Sequence, residues 1–93
     1  MSNKVTDVWI FNGPKGRFAS GVFTEKNLAE IWIVKNQLTG TLTSYPVDLG
    51  VYQWALENGY FVAIKEHEKE PEFIANFSSA SQDHFHYVAG RLE

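Results

Sequence analysis

The sequence contains no cysteine, which removes a disulfide framework, a thiolate-ligated zinc site and a thiol nucleophile together. It also lacks an apolar run of the roughly 18 residues needed to span a bilayer, and its start, MSNKVTDVWIF, has none of the uninterrupted apolar stretch of a signal peptide. The reading is a soluble, cytoplasmic protein without a membrane partner. An excess of basic charge is missing as well: 8 Lys and Arg against 11 Asp and Glu leave a net charge of -3 and a pI near 5.5. No global field attracts a polyanion, so nucleic acid is not expected as a partner. Proline occurs only at positions 14, 46 and 71, and each is read as a break or a start of regular structure.

What the chain does have is aromatic side chains, 3 Trp, 4 Tyr and 7 Phe in 93 residues. A chain of this length buries roughly 60 to 65% of the surface its unfolded form exposes, enough for one core, and large rings rather than staples supply the burial. Residues 1–91 are therefore expected to form a single globular domain. Leu92-Glu93 read as vector-derived residues ahead of a purification tag and stand outside the fold reading.

Residues 1 to 6 are polar and read as frayed. Val8 to Phe11 is β-branched and aromatic at every position, a strand that is covered on both faces or central in its sheet. The stretch Asn12-Gly13-Pro14-Lys15-Gly16 is turn chemistry, and Arg17 to Phe23 reads as the returning strand, with Gly21 marking a close backbone approach or a bulge. Thr24 then caps a helix from about Glu25 to Asn36 that lays Leu28, Ile31 and Trp32 on the sheet, with Ala29 and Ile33 beside them. Leu38-Thr39-Gly40 closes it. Thr41 to Tyr45 reads as a strand ended by Pro46, and Asp48 caps a second helix from about Leu49 to Asn58, closed by Gly59. Tyr60 to Ile64 is a further strand candidate.

The run Lys65 to Glu72 carries four Glu and two Lys and reads as a solvated linker. Pro71 opens a short helix that turns Phe73, Ile74 and Phe77 inward, and Asp83 to Val88 alternates as an edge strand would. Gly90 ends the ordered chain. The fold class is α+β: a mainly antiparallel sheet of 4-5 strands, in the order β-β-α-β-α-β-short α-β, with helices packed on one face.

The stretches GVFTEKNLAEIWI, LTGTLTSYPVDLGVYQWALENGYF and PEFIANFSSASQDHFHY together resemble a family of small bacterial proteins grouped as a domain of unknown function. The resemblance spans roughly Val8 to Tyr87, most specifically Gly40 to Asp48, Phe77 to Ala80 and His84 to Tyr87. It implies a stand-alone or appended bacterial module and transfers no catalytic residue.

Among side chains that could carry chemistry, His84-x-His86 is the sharpest pattern, because residues two apart in a strand share a face and two imidazoles can meet one ion. His67, Asp83, Glu66 or Glu68 would complete a site for zinc or another divalent transition metal; the plainer reading is exposed histidines and no cofactor. Asn12 to Arg17 places two glycines and two cations in one loop, but the spacing matches no phosphate fingerprint and a hairpin turn suffices. Trp9, Trp32 and Trp54 are assigned to the core. Ser44, Ser78, Ser79 and Ser81 lie in no nucleophile elbow. What remains is a non-enzymatic binding module that uses an exposed sheet edge or an aromatic rim near Tyr45, Tyr60 and Tyr87 for an unknown protein partner. As an assembly, a monomer or weak homodimer is expected.

Overall fold

The computed structural model describes residues 5–93; the expected frayed start falls, for residues 1–4, outside the described residues. The elements are β1 (Asp7–Asn12), β2 (Gly21–Phe23), α1 (Lys26–Asn36), β3 (Gly40–Pro46), α2 (Val51–Glu57), a 3-10 turn (Glu66–Lys69), α3 (Pro71–Ala75), β4 (His84–Val88) and β5 (Arg91–Leu92). All five strands join one antiparallel sheet in the order β2-β1-β3-β4-β5. The fold is α+β. The chain divides into two compact units, a first that runs up to Val47 and resumes at Gln82, and a second formed by Asp48–Ser81.

In the first unit the pairing of Phe11 with Leu42 and of Leu42 with Phe85 sets one face of the sheet, and α1 covers it. Phe11, Ala29, Ile33, Leu42 and Tyr87 are buried there, with Trp9, Phe23, Trp32, Leu38 and Phe85 packed around them. Burying a side chain as fully as Ile33 or Leu42 contributes about 1.5–3 kcal/mol. The helix is rotated from the expected orientation: Ala29 and Ile33 point inward, while Leu28 and Ile31 are 45% and 62% exposed. Small Ala29 lets the helix approach the sheet, and Trp32 reaches over β2, meeting Phe11 edge-on at 5.5 Å and Phe23 at 5.3 Å. A Cβ on Gly21 would lie 2.8 Å from the Phe23 ring and 3.0 Å from that of Trp32, so the glycine admits two rings rather than a neighbouring backbone.

Other boundaries also move. Glu25, not Thr24, takes the N-cap position of α1, with no side-chain hydrogen bond. At the other end Gln37 adopts a left-handed conformation, and the N–H groups of Gln37 and Leu38 donate to Val34 O and Ile33 O. That is a Schellman closure without glycine. The returning strand begins only at Gly21, because the Ser20 N–H donates to Phe11 O at 2.9 Å and closes a long loop, leaving Phe18 83% exposed. Asp83 to Val88 is not an edge: β4 lies between β3 and β5.

Gly90 does not end the ordered chain. Ala89 and Gly90, at φ 48° and 82°, form the two-residue connection between Val88 and its partner Arg91, and positive φ at both central positions is the hairpin geometry that matches strand twist. The Gly90 N–H donates to Leu38 O at 2.8 Å and the Ala89 N–H to Thr39 Oγ1 at 3.0 Å, which ties the turn to the loop that follows α1.

The second unit has a core of rings. Tyr52 is buried on α2, 5.4 Å from Phe77 and 5.9 Å from Phe61, and Phe61 stacks on Phe73 at 5.7 Å. The α2 helix is capped by Gly50 rather than Asp48. It closes where expected, with Gly59 at φ 75° and the Tyr60 N–H donating to Ala55 O at 2.8 Å. Pro71 occupies the first turn of α3, and Ile74 on that helix is 42% exposed rather than inward. The charged run is not a plain linker but folds into the 3-10 turn. Its Glu68 carboxylate accepts hydrogen bonds from the N–H groups of Lys65 at 2.7 Å and Ile64 at 3.1 Å, and the Tyr52 hydroxyl donates to Glu68 O at 2.8 Å.

Tyr60 to Ile64 is not a strand. β propensity expresses fit to a pleated, paired surface, and here Phe61 is drawn into the ring cluster while the next amides at 64 and 65 are taken by Glu68.

Candidate binding surfaces

Alternation along the strands sends a second set of side chains to the face of the sheet away from α1. Cross-strand pairs there join Val8 with Tyr45, Ile10 with Thr43 and Val22, Thr43 with His84, and Thr41 with His86. Val22 and Val88 on this face are 63% and 49% exposed. The His84 and His86 rings stand side by side, centroids 5.5 Å apart and nearly perpendicular. Nδ1 of His84 lies 2.8 Å from Gln82 O, and Nδ1 of His86 lies 3.1 Å from Thr41 Oγ1. Because a carbonyl oxygen only accepts, His84 carries its proton on Nδ1 in that bond and leaves Nε2 as its free nitrogen.

The sequence-selected residues are not gathered into one site. His67 lies in the second unit, its ring edge-on to Phe73 at 5.7 Å. Among the described residues no three His, Asp or Glu side chains are grouped to hold a metal ion. Tyr45 is half-buried on the outer sheet face. Tyr87 is on no rim: it is 3% exposed on the opposite face, and its hydroxyl donates to Glu30 Oε2 at 2.8 Å. The parity of β4 decides this, since His84 and His86 face one way and Phe85 and Tyr87 the other. Burial and the Glu30 carboxylate push the Tyr87 hydroxyl well above its ordinary range. Lys26 completes the contact, with Nζ 3.7 Å from the Phe85 ring centre and 3.9 Å from Glu30 Oε2.

In the second unit Tyr60 is 54% exposed and packs on Trp54 at 5.2 Å. The segment that follows keeps a strand's alternation without a partner strand: Val62 and Ile64 are 68% and 81% exposed, whereas Phe61 and Ala63 are half-buried. None of the peptide groups of residues 61–63 makes a hydrogen bond within the described residues. Sequence reasoning found the β character of this stretch but not its solitude, which depends on what lies beside it.

Two clefts open in the same unit. One of about 310 Å³ is lined by His67, Glu70, Glu72, Phe73 and Asn76, and one of about 390 Å³ runs from Asp48 to Gln53 with Ile74. The Glu68 carboxylate is held below its ordinary range chiefly by the Lys65 N–H, and that bond is structural.

A family comparison fits this picture of a fold without a declared active site. Residues 8–93 match the family described as Domain of unknown function (DUF7710). The chain belongs to that family. The match takes in both compact units of this DUF7710 domain, including the β4–β5 hairpin. No curated protein and no solved structure matches the chain. Among the described residues no helix is long and apolar enough to cross a membrane.

Proposed function

We propose that this DUF7710 domain is a non-enzymatic interaction module that binds an extended segment of another polypeptide along Tyr60–Ile64. The observation that carries the reading is the combination of alternating exposure at Tyr60, Val62 and Ile64 with unbonded peptide groups at 61–63. A strand added there would supply the missing backbone partners, while its alternate side chains would cover Val62 and Ile64. The Glu68 carboxylate is shifted chiefly by hydrogen bonds that hold the fold, and the Tyr87 hydroxyl chiefly by its burial.

The test is a photo-reactive amino acid placed at position 62 in the native host, with position 57 on α2 as control. A discrete polypeptide adduct at 62, lost when Ile64→Lys is introduced and absent at 57, is the expected result. Equal labelling at both positions, or adducts insensitive to Ile64→Lys, would overturn the reading.

A further inference from the structure

We infer that His84 and His86 form a two-imidazole binding site for a divalent transition metal ion on the outer face of the sheet, with water completing the coordination. The two residues are held by the strand period on one face of β4, a strand fixed on both sides by β3 and β5. Their placement therefore comes from a paired backbone rather than from a loop.

The ring separation fits one ion. An imidazole bound at about 2.0–2.1 Å has its centre about 3.2 Å from the metal, so two of them at a tetrahedral angle have centres about 5.2 Å apart. Those of His84 and His86 are 5.5 Å apart. The outer hydrogen bonds fit as well. Metal-binding imidazoles characteristically use the second ring nitrogen on a carbonyl or other polar partner, which fixes tautomer and orientation. Gln82 O does this for His84 Nδ1, and Thr41 Oγ1 is placed to do so for His86 Nδ1. Both rings then present Nε2.

No cation competes from directly across the strands on β3, where the partners of His84 and His86 are Thr43 and Thr41. Both histidines are exposed, so an ion reaches them without opening the fold. Since among the described residues no third imidazole or carboxylate is grouped with the pair, the site favours ions that bind imidazole strongly with few protein ligands. Cu²⁺ should lead, ahead of Zn²⁺ and Ni²⁺, with Mg²⁺ excluded by its preference for oxygen. The histidine pair shares no residue with the Tyr60–Ile64 segment.

Titration calorimetry of the tag-free chain with CuCl₂, ZnCl₂ and MgCl₂, followed by long-range proton–nitrogen NMR of the imidazoles, tests it. One Cu²⁺ per chain, tighter than Zn²⁺, no Mg²⁺ heat, and a loss of affinity of about tenfold or more for His84→Gln and for His86→Gln are expected. His67→Gln should leave the affinity unchanged. In the NMR spectra with diamagnetic Zn²⁺, the Nε2 signals of both rings should move. The double variant His84→Gln/His86→Gln folds normally on these exposed positions, as circular dichroism would show. If it retains Cu²⁺ affinity within about threefold of the parent, or if only one ring responds, the site is not a two-imidazole site and the inference fails.

Discussion

The two units solve the same problem, burying enough apolar surface to hold a short chain, on different backbones. The first packs Phe11, Tyr87, Ile33, Leu42 and small Ala29 between a helix and a paired sheet, where interlocking strands fix most backbone groups. The second gathers Tyr52, Phe61, Phe73 and Phe77 between helices of seven and five residues, and of these rings only Tyr52 is buried. Helices that short have little stability of their own. Ring packing and the Glu68 hydrogen bonds must hold the second unit together, and its peptide groups at 61–63 are left over. The contrast leads to the expectation that the second unit opens more readily than the first.

The sharpest way to break the comparison is to cut the first core. Leu42→Ala, at a position with no exposure, is expected to cost about 2–5 kcal/mol, read from chemical denaturation. A loss under 1 kcal/mol, as an order of magnitude for a surface site, would mean that the sheet and α1 do not carry the first unit. In the second unit Phe61→Ala should cost about 2 kcal/mol, less than a fully buried ring because Phe61 is only half-buried. It should speed amide exchange within α2 and α3. Equal protection of α2 and β3 amides in the parent chain would contradict the proposed difference between the units.

Gly90→Ala comes next, at about 1–2 kcal/mol, because φ is 82° and the new Cβ would sit 3.1 Å from Gln37 Cα. Tyr87→Phe removes the hydrogen bond to Glu30 and should cost about 0.5–1.5 kcal/mol with the fold intact. The smallest effect is pH-dependent. The Glu68 carboxyl is held below the ordinary carboxylate range, so its contribution is present above that range and is lost as pH falls through the lowered value. The Ile64 and Lys65 amide signals should follow that titration, and in Glu68→Gln they should not.

Periodicity and punctuation were enough to read β1, α1, β3, the α2 stop at Gly59, the Pro71 helix start and the antiparallel α+β class. These are local effects: a β-branched run, a positive-φ glycine and a proline act on their own neighbours. The His84–His86 shared face was legible for the same reason, since it needs only the strand period. The inward face of α1 was not, because which stripe turns inward depends on how closely the helix must approach, and Ala29 over the sheet decides it. Nor was the fate of Tyr60–Ile64: its side chains favour a strand, but a strand exists only where another strand lies beside it. Tyr87 was misplaced on a rim although its parity with His86 was available, because which face of β4 meets α1 is settled by the pairing with Leu42.

Sequence alone thus determined which segments are helix-prone or strand-prone, the absence of cysteine chemistry and the face shared by the two histidines. Tertiary structure alone decided which strand-prone segments found partners, the rotation of α1, the burial of Tyr87 and the formation of β5. Side-chain chemistry and backbone preference travel with the residue, whereas pairing and burial belong to residues distant in the chain.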